Sequence, residues 1–191
     1  VSWPTAVSEA AVFKAFYVSG RGLYYNRFGR VLSPEYTDFA PRPADHPTVF
    51  TSDHDLMTQG EIINVPDAVN WPQTGERPLV GGHHDAGDFD IRMTHPLVGM
   101  QLLRAFELNP QRYLDGQLTI PESNNGIPDL LDEALWSIQA WEYLQEANGG
   151  VRPGVESYRH PWGYYYADLD PLPYWTYAVE PTPVSYTHLR A

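Results

Sequence analysis

The chain contains no cysteine and a single lysine, Lys14, among its 191 residues. The absence of cysteine excludes disulfides and thiolate metal sites, and it removes the usual clue to redox compartment. Scarce lysine and a formal net charge of −12 leave no basic patch. Such a field repels phosphate backbones and anionic lipid, so neither nucleic acid nor a membrane surface is expected as a partner. No apolar run approaches the ~20 residues of a membrane span. No signal peptide is visible at the start, although the first residue is Val1 and the natural N-terminus need not be in view. What the chain does have is aromatic side chains, at 14%, within an apolar content of 42% that suits a globular domain. Most aromatics should fill a core. A few in irregular segments could offer flat faces to sugar rings, and an acidic, lysine-poor, aromatic-rich chain suits a neutral polysaccharide.

Hydrophobic periodicity predicts three helices. Ala10, Phe13, Phe16, Tyr17, Leu23 and Tyr24 recur at helical spacing within 6–25, with Gly20 and Gly22 weakening the last turn. A second helix over 94–108 is apolar around much of its circumference, which predicts burial on more than one side, and Asn109-Pro110 stops it. A third follows Gly126, with Pro128 in its first turn, Asp129 and Asp132 at the positive end of its dipole, and Gly149-Gly150 at its end. Trp136 and Trp141 of that helix are expected in the core. Residues 33–78 are rich in proline, aspartate and threonine and show no period, so they read as a long loop region. No alternating strand pattern stands out, and the predicted class is all-α.

The chemistry concentrates in Gly81-Gly82-His83-His84-Asp85-Ala86-Gly87-Asp88-Phe89, where two carboxylates sit three residues apart on a glycine-broken turn. Such a pair can cap a helix or fix a turn. It can help to bind a cation with Asp90, His83 and His84, but the spacing does not match a calcium loop, and adjacent histidines on an extended segment face opposite sides. It can also grip one water: each carboxylate raises the other's proton affinity, which tunes one of them toward base work near neutral pH. An inverting glycosidase needs such a base, with a separate acid ~6.5–9.5 Å across the sugar.

That segment resembles the G-G-W-H-D-A-G-D-[YF] signature of glycoside hydrolase family 9, the cellulase and cellodextrinase family. Ile120-Pro121-Glu122-Ser123-Asn124-Asn125-Gly126-Ile127-Pro128-Asp129-Leu130-Leu131-Asp132-Glu133 is similar to the family's I-P-E-S-x-N-G-I-P-D-L-L-D-E, and Gly149-Gly150-Val151 to the D-G-G-V that follows. Upstream, Leu23-Tyr24-Tyr25-Asn26-Arg27-Phe28-Gly29 and Arg42-Pro43-Ala44-Asp45-His46 resemble L-Y-x-Q-R-C-G and R-P-A-C-H. The blocks keep the family's order from about Ala6 to Val151.

The resemblance implies an (α/α)6 barrel and inverting hydrolysis of β-1,4-linked glucans, with Asp88 as catalytic base and Asp85 sharing the nucleophilic water. His83, His84, Trp162, Tyr164 and Trp175 are candidate substrate contacts, with Tyr165 and Tyr166 further stacking candidates. Glu122 is expected to fix a loop. Neither a cofactor nor a metal is expected: some members hold zinc through cysteines where this chain has Phe28 and Asp45, which predicts loss of that site, with His46 kept as a hydrogen-bonding loop residue. His83 stands where the signature has tryptophan. A β-glucan is the expected partner, and secretion follows from such a substrate.

The family's general acid is a distal glutamate in an Asn-Glu context, and the chain holds no such dipeptide. Residues 1–183 are therefore expected to be the N-terminal part of a longer catalytic domain, a partial barrel that is marginally stable and inactive alone. Residues 184–191 resemble a translated sequencing-adapter tail. Two other functions remain open: a carbohydrate-binding protein on the same scaffold without catalysis, and a metal-stabilised structural module, against which the missing thiols argue.

Overall fold

A computed structural model describes residues 8–52, 72–84, 89–92, 95–157 and 165–176. Three helices dominate it: α1 (Glu9–Tyr25), α2 (Pro96–Leu108) and α3 (Asp129–Tyr143). They lie within a few residues of the spans that periodicity predicts. The Ser8 hydroxyl starts α1 by accepting the Ala11 amide at 3.1 Å, and Glu9 in the first turn suits the helix dipole. Pro128 is the residue before α3, not part of its first turn. The helix ends at Tyr143, earlier than the glycine pair, which lies in the turn that follows.

The all-α expectation needs one correction. Two small sheets stand beside the helices, an antiparallel pair β1 (Thr48–Val49) with β2 (Arg77–Pro78), and a three-stranded sheet ordered β3 (Ile91–Arg92), β4 (Gly154–Glu156), β5 (Trp175–Thr176). Strands of two or three residues hold at most one alternation, so no period betrays them in the sequence.

The main core joins these sheets to α3: Phe28, Val49, Leu79, Ile91, Ala140, Trp141, Leu144, Val155, Leu172 and Tyr174 pack together. A second cluster sets Tyr24 and Leu32 against Leu118 and Ile120. Trp136 and Trp141 are buried, as their place on α3 predicts. The expectation for α2 fails among the described residues. Gly99 is its buried residue, lying against α3, while Leu97, Met100, Leu103 and Leu108 are exposed. An apolar circumference reports what a helix could bury, and among the described residues only α3 makes extensive contact with α2.

The Gly81-Gly82 pair shows why the signature begins with glycines. Both have positive φ, +103° and +74°. A Cβ on Gly81 would stand 2.7 Å from the Ala140 amide nitrogen inside α3. The Gly82 N–H donates to Trp136 O at 2.7 Å, and the Trp136 indole N–H returns a bond to Gly82 O at 2.9 Å. The chain thus lies directly on the helix backbone, where only glycine fits. Gly81→Ala is expected to lose at least about 2 kcal/mol, from a disfavoured φ and a clash with unyielding backbone. The urea midpoint, followed by tryptophan fluorescence, checks it; an unchanged midpoint contradicts the close approach.

Candidate active site

Asp85 and Asp88 lie outside the described residues, and the residues on both sides of them are described. On the upstream side, the His84 N–H donates to Asn26 O at 2.9 Å, and the Asn26 side chain donates back to His84 O at 2.9 Å. On the downstream side, Phe89 sits edge-on to the His84 ring at 5.3 Å, Asp90 is fully buried, and Ile91 opens β3, which pairs with β4. Phe89 adopts a φ of +52°, a left-handed conformation for a bulky residue. The described residues on either side of the two carboxylates are thus each anchored to other parts of the fold.

The two histidines sit differently from the expectation of direct substrate contact. His83 is 3% exposed, and its Nε2 lies 2.7 Å from Glu133 Oε1. Glu133 is fully buried and also receives the Arg27 guanidinium, with Nη2 to Oε2 at 2.8 Å. Arg27 reaches Glu122 with its other nitrogen, Nη1, at 3.0 Å, and stacks 4.4 Å from the Trp136 ring centroid. His84 is 7% exposed, with Nε2 2.6 Å from Asp45 Oδ2. Both rings thus face inward and hold the segment that leads up to residue 85. The reason is charge balance: a carboxylate beneath each ring makes the interior the better-solvated place for an imidazole.

Burial resists ionisation of Glu133, but the His83 hydrogen bond and the Arg27 charge outweigh it and hold its carboxyl below the ordinary range. For Asp45, too, burial opposes ionisation. The neighbouring His46 and His84 imidazoles and the Arg42 guanidinium prevail, leaving it ionised far below the usual carboxylate range.

Trp175, read as a stacking candidate, is 1% exposed; its indole N–H donates to Pro72 O at 3.2 Å and its ring packs near Phe50. Its faces belong to the interior because it sits on β5 beside the core, so it presents no open platform for a sugar. Trp162 and Tyr164 lie outside the described residues. Tyr165 and Tyr166 are exposed. Glu122 ties the loop before α3 to Arg27, which is the loop-fixing role expected of it. Asp129 fixes the same loop: its carboxylate accepts the Gly116 and Leu118 amides at 2.8 and 2.6 Å and the Ser123 hydroxyl at 2.9 Å. This is a different task from complementing the helix dipole.

Similarity to known proteins follows this geometry. No family model matches the chain. A cellulose 1,4-β-cellobiosidase of Acetivibrio thermocellus is 32% identical over 142 residues, 64% of this chain and 15% of that protein. A xyloglucan-specific endo-β-1,4-glucanase, BoGH9A of Bacteroides ovatus, is 26% identical over 136 residues, 69% of this chain and 21% of that protein. The crystal structure of a metagenome-derived glycoside hydrolase family 9 endoglucanase superposes with a TM-score of 0.69 at 29% identity, over 87% of this chain and 28% of that one. The chain resembles glycoside hydrolase family 9 enzymes in both sequence and structure. It spans less than a third of the family 9 structure it matches. Homologues in this family are cellulases and endoglucanases, hydrolases of β-1,4-glucans. Among the described residues no helix is long and apolar enough to cross a membrane.

The zinc site known from some family 9 members does not fit the side chains here. The two cysteine positions are Phe28, fully buried and without a donor atom, and Asp45. Two ligands of one tetrahedral zinc, each about 2.0–2.1 Å from the ion, stand about 3.3–3.4 Å apart. Asp45 Oδ2 and His84 Nε2 are only 2.6 Å apart, an ion-pair distance. His46, expected to hydrogen-bond in its loop, makes no ring hydrogen bond among the described residues; its Nε2 lies 3.5 Å from Asp170 Oδ2.

Proposed function

We propose that this chain is the N-terminal part, residues 1–183, of a secreted glycoside hydrolase family 9 catalytic domain built as an (α/α)6 barrel that hydrolyses β-1,4-linked glucans with inversion. Asp88 acts as the base and Asp85 shares the attacking water. The observation that supports this reading is that the residues on both sides of the signature carboxylates are anchored, His84 on Asn26, and Phe89–Ile91 against His84 and β4. Catalysis by positioned carboxylates needs such rigid attachment, because the water must sit in line with the anomeric carbon before the bond breaks. The two carboxylates supply one half of the reaction. The proton donor for the leaving oxygen is assigned to a part of the parent beyond these residues, in keeping with the small share of the relatives' length that this chain spans. Trp162 and Tyr164 are proposed to contact the glucan, and no cofactor takes part.

The test compares this chain with its longer parent on cellohexaose. The parent is expected to release reducing sugar whose first-formed anomer is α, as inversion at a β-linkage requires, and this chain alone is expected to release none. A first-formed β-anomer overturns inversion. Binding of cellohexaose by the parent without cleavage overturns the enzyme assignment in favour of a carbohydrate-binding protein on the same scaffold.

A further inference from the structure

The residues at the former zinc position do more than lack a metal. Asp45 is 1% exposed and uses both oxygens: Oδ1 accepts from Arg42 Nη1 at 2.7 Å, and Oδ2 pairs with His84 Nε2 at 2.6 Å. The fully buried Phe28 ring fills the space beside them, 5.5 Å from the His84 ring and 6.2 Å from that of His46. The His46 ring in turn packs 4.3 Å from Tyr174, with Asp170 beside it. Through these contacts, segments 26–28, 42–46, 84 and 170–174 meet at one point, and His84 is the residue immediately before the carboxylate turn.

We propose that Arg42, Asp45 and His84, packed against Phe28 and His46, form a metal-free clamp in which Asp45 is the positioning residue that fixes the approach to the Asp85–Asp88 turn. A structural zinc would hold these segments by directed bonds to one ion. Here one carboxylate takes the ion's central place and makes charge-assisted bonds to two cations or donors from different segments. The phenyl ring replaces the volume of a thiolate and its metal, and by excluding water it strengthens the bonds beside it. The clamp's purpose rests on the proposed chemistry of the turn. Its existence does not, and the measurements that test it read metal content and backbone exchange, never activity.

Elemental analysis and thermal melts of the purified chain come first. Substoichiometric zinc and a melt unaltered by EDTA or added zinc are expected; one zinc per chain, or a melt lowered by EDTA, overturns the proposal. Amide hydrogen exchange then compares the chain with Asp45→Ala. The amides of His84, Asp90 and Ile91 are expected to exchange about tenfold faster or more, with those at the centre of α3 unchanged. Unchanged exchange at His84 overturns the positioning role. Finally, the double variant Phe28→Cys, Asp45→Cys is expected to bind zinc and restore slow exchange at His84. Failure of the folded double variant to bind zinc overturns the assignment of the clamp to the metal position.

Discussion

Replacing Glu133 by glutamine is expected to cost about 3–5 kcal/mol of folding free energy, a large part of the stability of a domain this size. The carboxylate is fully buried and has two basic neighbours, Arg27 and His83, at 2.8 and 2.7 Å. Arg27 is itself fully buried, so neutralising Glu133 leaves a guanidinium in the interior with only the partly exposed Glu122 as counter-ion. The cost therefore arises mainly from the stranded charge, not from the lost attraction. A control separates the two: Arg27→Met combined with Glu133→Leu removes both charges and should recover much of the loss. Urea unfolding of the single and double variants measures both effects, and a single variant within about 1 kcal/mol of the parent chain would contradict the buried pair. The pH dependence has a definite sign. A carboxyl held below its ordinary pKa in the folded state contributes stability that is fully present above the unfolded value, about 4.3, and is lost as pH falls below it. Glu133→Gln should therefore flatten the acid limb of the stability profile below about pH 4.

Asp88→Asn in the longer parent is expected to lower kcat for cellohexaose by about 10²–10⁴-fold, with little change in KM. The substitution keeps the size of the side chain and its ability to orient a water, but an amide cannot take the water's proton as the bond to the anomeric carbon forms. Asp85→Asn should cost less, because the proposed role of that carboxylate is to share and align the water. An external nucleophile that needs no base, such as azide, is expected to restore part of the Asp88→Asn rate and to yield an α-glycosyl azide. A wild-type rate in Asp88→Asn would remove this residue from the mechanism. Because the described residues flanking Asp88 are anchored by contacts that do not involve it, the variant is expected to melt within a few degrees of its parent, so that lost rate is not lost fold.

Much of the family likeness was legible in the residue order itself. The signature turn, the block from Ile120 to Glu133 and the glycines at 149–150 are local strings, and local strings carry family resemblance without any knowledge of packing. Helix positions were legible for the same reason: α1, α2 and α3 announce themselves by spacing over a few turns. The requirement for Gly81 and Gly82 was visible as a pattern, but its cause was not, since the backbone they touch is that of Trp136 and Ala140.

Tertiary structure decided which residues do the holding. Arg27 and Glu133 are 106 positions apart, and Asp45 and His84 are 39 apart. Nothing in a one-dimensional pattern says which buried acid meets which buried base, because that choice is made by the approach of whole helices and loops. His83 and His84 look like ligands or sugar contacts in the sequence, as polar groups beside a carboxylate turn would, and the fold turns both inward onto carboxylates. Trp175 looks like a stacking platform in an irregular stretch, and a two-residue strand buries it. The same logic makes α2 look like a core helix although Leu97, Leu103 and Leu108 are exposed. Sequence by itself determined the chemical elements of this protein, the signature strings, the helices and the family they resemble. The side-chain pairs that hold the turn, and the faces each helix covers, depended on long-range contact, for which ion-pair and packing energies exist only once the chain has brought distant residues together.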